Sequence, residues 1–341
     1  MKTSPLPFTF AIIALSIASC GLPTPSGDGD AAMDDTRLVT GSVGTQDENP
    51  TTVPRLTVTI EPLRFIVEAI AGQQFQVVSM VPRGTSPETY DPTPRQLISL
   101  AQSRAYLRIG HIGFEHAWID RLAQNAPNLP FFDMSQGINF IYSQAHHHQH
   151  RASAHIPTKY LADENAGNDD QSHPTGHDEL AIEPHIWNSP TNVRIIARNV
   201  VAALAQLDPV HAPDYASRCD SLCTTVALTD SLVRSLLAHP QADRSFLIYH
   251  PALSYFAREY GLHQIAIEDD GKEPSPAHLA QLIETCRQEK VRVVFIQPEF
   301  DRRNAELIAQ QTHCQIVSID PLAYDWPGEM LRTAQALVPI P

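Results

Sequence analysis

The sequence predicts an α/β protein built as two lobes with parallel sheets, joined by one long helix. Three observations carry that reading. Short apolar strands alternate with helical stretches over residues 56–132, the same alternation returns over 245–319, and a long helical pattern lies between them. Such alternation is how parallel sheets are wired, because each parallel crossover needs a covering helix. A chain of 341 residues also exceeds the roughly 150 expected of one domain.

The folded body begins at Leu56-Thr-Val-Thr-Ile60, an alternating strand, followed by a helix over Pro62–Ala71 that Gly72 ends. Phe75–Val81 reads as the next strand, Pro92–Ala101 as a helix, and Ala105–Ile109 as a short strand. Phe114–Ala123 adds a helix and Phe131–Phe132 a last short strand. After Pro190 the pattern turns helical over Asn192–Leu207 and Pro213–Leu237, with Asp208-Pro209 breaking the two. In the second of these, Val226, Leu228, Leu232, Leu236 and Leu237 recur at helical spacing. At 1.5 Å per residue it spans about 37 Å, long enough to connect two lobes. Strands then follow at Ser245–Tyr249, Ile265–Ile267, Val291–Ile296 and Gln315–Ile319, with helices at Ser254–Tyr260, Pro276–Glu289 and Ala305–Gln311 between them. No Gly-x-Gly-x-x-Gly and no Walker loop occurs, which argues against dinucleotides and nucleoside triphosphates.

Ahead of this body, Lys2, the apolar run Phe8–Ala18 and the small residues before Cys20 form a signal-peptide pattern. The run is shorter than the about 20 apolar residues that span a bilayer. Ile17-Ala-Ser-Cys20 resembles a bacterial lipobox, which makes Cys20 the expected lipidation site; ordinary cleavage nearby is the competing reading. Residues 21–55, rich in Pro, Gly, Ser, Thr and Asp, read as a flexible tether that lets the body stand off a membrane. The partition is therefore a leader over 1–20, the tether, a first lobe over 56–207, a connecting helix over 208–240 and a second lobe over 241–341. The net charge of −14 excludes a nucleic-acid face, which has to be basic, and suits a body that gathers cations. Beyond Cys20, Cys219 and Cys223 share a helix face, whereas Cys286 and Cys314 come from separate elements and are the better disulfide candidates in an exported protein.

Chemistry concentrates in a few places. His146, His147, His148, His150, His155, His173 and His177 lie in a polar loop over 145–178, too poor in apolar residues to bury itself. Imidazole is a ligand for Zn²⁺, Cu²⁺, Ni²⁺ and iron, so the tract reads as accessory metal capture; a solvated low-complexity loop is the plain alternative. Glu183-Pro-His-Ile-Trp187 closes it. Ligand crevices of open α/β sheets lie beyond the carboxyl ends of the strands. There stand Glu88, His250 and Asp320, each near a proline. With His185 they make four nitrogen and oxygen ligands, two from each half, a set that suits a cation between lobes. His111, after another strand end, is a further candidate or an exposed loop histidine.

Pro87-Glu-Thr-Tyr-Asp-Pro-Thr-Pro94, Glu183-Pro-His-Ile-Trp187, His250-Pro-Ala-Leu-Ser-Tyr-Phe-Ala257 and Phe295-Ile-Gln-Pro-Glu-Phe300 with Ile319-Asp-Pro-Leu322 resemble the cluster A-I solute-binding lipoproteins of bacterial zinc and manganese ABC importers. The resemblance runs from about Leu56 to the C-terminus. It implies two α/β lobes joined by one rigid helix, a metal held between them, and a monomer that delivers it to a membrane permease with its ATPase. That family usually has histidine where this chain has Glu88. Glutamate also binds Zn²⁺, and two imidazoles with two carboxylates are a harder set that accepts Mn²⁺ as well. Two other classes remain: an exported zinc hydrolase, for which no His-Glu-x-x-His or Gly-x-Ser-x-Gly is present, and a metal-buffering adhesion lipoprotein.

Overall fold

Strand β1 (Arg55–Val58) is buried along its length, as a parallel strand covered on both faces must be. The computed structural model describes residues 53–144, 180–268 and 271–339, and these belong to one compact unit. After β1 come α1 (Glu61–Ala71), β2 (Gln76–Ser79), α2 (Pro94–Ala101), β3 (Ala105–Arg108), α3 (Gly113–Asn125) and β4 (Phe131–Asp133). A short pair, β5 (Tyr142–Gln144) and β6 (Leu180–Ile182), precedes α4 (Pro190–Leu207) and α5 (Ala212–Leu237). The second half runs β7 (Ser245–Ile248), α6 (Ser254–Tyr260), β8 (His263–Ala266), α7 (Pro276–Gln288), β9 (Val293–Ile296), α8 (Arg303–Thr312), β10 (Gln315–Ser318) and α9 (Trp326–Ala336).

The first sheet has the order β2-β1-β3-β4 and the second β8-β7-β9-β10. All their pairings are parallel. The two sheets are therefore wound alike, and in each the order reverses between the first strand and its later neighbour, β1 beside β3 and β7 beside β9. Crevices for ligands form at such switch points.

The expected long helix is α5, 26 residues, and it packs against α1, α4 and α9. Its buried stripe is Tyr215, Cys219, Leu222, Val226, Thr229, Val233 and Leu237. Leu228 and Leu232 do not belong to it: they stand 62% and 54% exposed, because the 3.6-residue period that buries Val226 and Val233 turns them outward. One apolar core runs from the first sheet through α5 to the inner side of the second, taking in Leu56, Val58, Val226, Phe246, Phe295 and Met330. Leu247, Val294 and Ile308 form a smaller core on the other side.

Three features depart from the sequence reading. The strands β5 and β6 pair antiparallel, with Tyr142 opposite Ile182 and Gln144 opposite Leu180, and so bring together the two ends of the histidine-rich stretch, whose residues 145–178 lie outside the described residues. Helix α9 was not expected. Its Pro327-Gly328 start reads as a turn, yet Asp325 caps it by accepting from the Gly328 amide, and Trp326, Met330, Thr333 and Ala334 form its buried face. Finally, Cys286 and Cys314 are free thiols, as are Cys219 and Cys223. Cys286 and Cys314 do adjoin, and the hydrogen bond between them together with burial pushes the Cys286 thiol up. Cys314 also donates to the Val291 carbonyl at 3.1 Å. Cys20 lies outside the described residues.

A buried carboxylate organises the carboxyl end of β3. Glu115, 1% exposed, accepts from the amides of Ile109 at 2.8 Å and Gly110 at 2.6 Å and from the Thr59 hydroxyl. Burial pushes its pKa up to about 7, against the pull of those three donors. A folded-state value above the ordinary 4.5 means that folding favours the neutral acid. Its contribution is complete below about pH 4.5 and is lost as the pH rises through about 7. Denaturant unfolding of the parent and of Glu115→Gln between these limits should show the parent losing on the order of 3 kcal/mol relative to the variant. A pH-independent difference would show that Glu115 titrates alike in the folded and unfolded states, contradicting the raised value.

Candidate metal centre

Pro184 cannot donate a backbone hydrogen bond, and the chain after it turns sharply through Ile186–Asn188. This turn carries His185, 5% exposed. Its Nδ1 meets the Glu183 carboxylate, its amide donates to the same carboxylate at 3.1 Å, and Trp187 stands edge-on to its ring with centroids 5.2 Å apart. His250 follows β7. Its Nδ1 lies 2.8 Å from Glu268, and Phe300 stacks on its ring at 5.3 Å and 18°. Gln297 grips its backbone twice, donating to the His250 carbonyl at 2.6 Å and accepting from the His250 amide at 3.3 Å.

Both Nδ1 atoms thus face carboxylates and must carry the hydrogen, which leaves each Nε2 a lone pair. The two Nε2 atoms face one another at 3.2 Å. Two lone pairs at that separation repel unless a proton or a cation lies between them. Tetrahedral Zn–N bonds of 2.0–2.1 Å would place two ligand nitrogens about 3.3 Å apart. The spacing is one that two ligands of a single tetrahedral ion would have, and also one that a shared proton would give.

Glu88 enters from the first lobe. Gly113, the first residue of α3, donates its amide to Glu88 Oε2 at 2.9 Å, and Phe114 donates to the Pro87 carbonyl at 2.9 Å. Helix N-termini suit anions. A Cβ at Gly113 would lie 2.6 Å from the Glu88 carbonyl oxygen, so only glycine permits this approach. The other oxygen, Glu88 Oε1, is buried with no hydrogen-bond partner among the described residues, so a water or a cation can satisfy it. Glu88, His185, His250, Gln297, Glu299 and Phe300 are among the walls of one cavity of about 20 Å³, room for a single ion or water. Among the described residues no group of three or more His, Cys, Asp or Glu side chains is placed to hold a metal ion together.

The family model of the zinc-uptake complex component A, periplasmic, matches residues 56–338. The chain belongs to that family. A crystal structure of a 138-173 ZnuA deletion mutant with zinc bound matches with a TM-score of 0.70 at 31% identity, covering 85% of this chain and 100% of that one. The high-affinity zinc uptake system protein ZnuA of Bacillus subtilis is 22% identical, over 89% of this chain and 84% of its own. The manganese ABC transporter substrate-binding lipoprotein PsaA of Streptococcus anginosus is 23% identical, over 82% and 83%.

Of the residues that the family pattern singles out, the structure brings Glu88, His185 and His250 to one cavity. Asp320 is not among the residues lining it, although Pro321 and Leu322 are. It accepts from the Leu322 amide at 3.0 Å and lines an adjoining cavity of about 310 Å³ with Arg83, Asp325, Glu329 and Arg332. Asp320 follows the edge strand β10, and its carboxylate and that of Glu299 are near enough to act on one another. His111 is not part of the cavity either; it packs edge-on against Phe140 at 4.8 Å. The seven histidines of the loop lie outside the described residues. Sequence reasoning missed Glu268, Gln297 and Phe300 as supports for His250, and the position of Glu299 in the wall. The Gln-Pro-Glu-Phe run carries the last three of these, and no motif of the sequence pointed to Glu268.

Burial works to lower the His185 pKa, but the carboxylates of Glu183, Glu88 and Glu268 together outweigh it and the net direction is up. The stability this pair contributes without metal is therefore present below about pH 6.5 and lost as the pH rises through the raised value. In the metal-free protein, NMR titration of His185, assigned with His185→Gln, should give a midpoint above about 6.5. Glu183→Gln, which leaves burial in command, should bring it below. A parent midpoint under that mark would contradict the pairing.

Proposed function

We propose that the chain is the extracytoplasmic receptor of an ABC importer, capturing Zn²⁺ as cargo and handing it to a membrane permease driven by its ATPase. The observation that carries this reading is the 3.2 Å separation of the His185 and His250 Nε2 atoms, each oriented by a carboxylate behind it. Relatives named for zinc uptake and for manganese ABC transport support the importer half. The receptor carries its cargo unchanged and is not an enzyme. The importer class calls for an exported protein; Cys20 as a lipid anchor and residues 21–55 as a tether would keep it, as a monomer, beside the permease.

Glu88, His185 and His250 hold the ion, and Asp320, beside the lining residues Pro321 and Leu322, is the second lobe's carboxylate that completes the shell. Two carboxylates cancel the charge of a divalent cation, and two imidazoles keep the set in favour of zinc, which stands well above Mn²⁺ in the Irving–Williams order. A harder oxygen ligand at 88 makes Mn²⁺ the second cargo. The loop over 145–178 acts as a collector. Its unordered imidazoles lose conformational entropy at each coordination, so they bind more weakly than the prearranged cleft. The domain limits 56–207, 208–240 and 241–341 fit this division, with the cleft between the outer two.

Zinc calorimetry of the parent and of a form lacking residues 145–178 should return one tight site in both, with extra weak equivalents in the parent alone. In the shortened form, His185→Ala or His250→Ala should remove the tight site. Affinity in the parent should also fall steeply from about pH 7 to 5 as protons displace the metal. Wild-type affinity in both histidine variants would reject the cleft as the site, and loss of the tight site on loop deletion would move it to the loop.

A further inference from the structure

We propose that Glu115, which is not among the walls of the metal cavity, is the positioning residue for Glu88: it fixes the loop between β3 and α3, and that loop aims the Glu88 carboxylate. The inference rests on the receptor reading above and deepens it by naming what sets the first lobe's grip on the ion.

The near end of the loop is held by Glu115. Strand β3 ends at Arg108 and α3 starts at Gly113, so only four residues connect them. From the first turn of α3 the Glu115 side chain reaches back across this connection. Its Oε1 accepts from the Ile109 amide at 2.8 Å and its Oε2 from the Gly110 amide at 2.6 Å, one oxygen to each of two successive amides. Gly110 makes the bend at φ 122°, a backbone state that other residues rarely adopt. On either side Ile109, Ile112 and Phe114 are buried.

The far end of the loop holds Glu88. The Gly113 amide donates to Glu88 Oε2 at 2.9 Å, the Phe114 amide donates to the Pro87 carbonyl at 2.9 Å, and the Phe114 ring meets Tyr90 with centroids 5.8 Å apart. The Gly113 amide is the bond that aims the Glu88 carboxylate, since Oε1 has no partner among the described residues. Two carboxylates thus grip amides of one short stretch, Glu115 those of Ile109 and Gly110, Glu88 that of Gly113. A shift at the first pair moves Gly113, and with it Glu88, relative to His185 and His250 on other elements.

The chemistry of the Glu115 pocket fits a positioning duty. Arg108 is paired with Asp133 at 2.6 Å, so main-chain amides and the Thr59 hydroxyl hold Glu115 in place of a counter-ion. Thr59 in turn bonds the Tyr106 hydroxyl at 2.8 Å. A counter-ion would satisfy the acid without specifying the backbone; two amide bonds specify it. Glutamine has nearly the same shape, but its NH₂ group would face one of those amides donor to donor, and the loop would have to give way.

The test uses the full chain and the metals alone. Zinc affinity is measured against a competing chelator for the parent, Glu115→Gln, the milder Thr59→Val, Glu88→Ala, and Glu88→Ala combined with each of the first two. Visible absorption of bound Co²⁺ reports the shell, and thermal melts of the metal-free proteins report folding. Glu115→Gln should lower zinc affinity by about tenfold, the lower end of what outer partners of a metal ligand cost, and Thr59→Val by less. Both should move the Co²⁺ bands toward those of Glu88→Ala. In the Glu88→Ala background neither should cost anything further, because groups that act through one another are not additive. A loss of the same size with and without Glu88 would overturn the assignment and leave Glu115 a general support of the lobe. So would parent-like affinity in Glu115→Gln or in Glu88→Ala. Should Glu115→Gln fail to melt cooperatively, the Thr59→Val cycle decides by the same two outcomes. If His250→Ala abolishes tight binding in the same assay, a failure of the cycle removes only the role of Glu115 and the receptor reading stands; if it does not, both fall.

Discussion

Trp187 is the fixed point between the two halves. Its ring is wholly buried; its Nε1 donates to the Pro321 carbonyl at 2.7 Å, and its own carbonyl accepts from Trp326 Nε1 at 2.8 Å. The turn that carries His185 is thereby held against the chain that follows β10 and starts α9. Indole donors left unpaired inside a core cost roughly 1–3 kcal/mol each, so the two indoles resist separation together. Further bonds run alongside: Asn188 donates to the Ala252 carbonyl at 2.8 Å, and Tyr324 donates to Glu68 at 2.6 Å. The 3.2 Å spacing of the imidazole nitrogens depends on this seam.

Carboxylates with no metal-binding duty complete the arrangement. Glu183 and Glu268 stand behind the two imidazoles and fix which nitrogen faces the cavity. Ser254, from α6, donates to Glu183 at 3.2 Å, so the orientation of His185 depends on both halves of the chain. In the first lobe Glu115 gathers the amides that follow β3, and the same loop delivers Gly113 to Glu88. A cost in burying these acids is offset by backbone and hydroxyl donors, and the return is a cavity whose lone pairs already point inward.

The fold was legible because parallel strands leave two plain signals, unbroken apolar runs and intervening helices. Val293–Ile296 and Phe246–Ile248 are buried throughout and read as such. Helix α9 was hidden by Pro327 and Gly328, which belong to its first turn, and β5 with β6 by their shortness: an antiparallel pair of three residues each carries no period to detect. At the site, His185 and His250 were legible because their neighbours form recognisable runs. The roles of Glu268, 18 residues after His250, and of Gln297, 47 after, depend on β8 and β9 lying on either side of β7. No local spacing encodes that.

The central claim is that one divalent ion is held by two imidazoles and carboxylate oxygens in the cleft. X-ray absorption at the zinc edge of the full chain carrying one equivalent of zinc tests it most directly. The account predicts a shell of two imidazole nitrogens near 2.0–2.1 Å with the remaining ligands oxygen at about 2.0–2.2 Å and no sulfur. Three or more imidazoles in that shell, or any thiolate at about 2.3 Å, would place the tight site outside the cleft described by Glu88, His185 and His250.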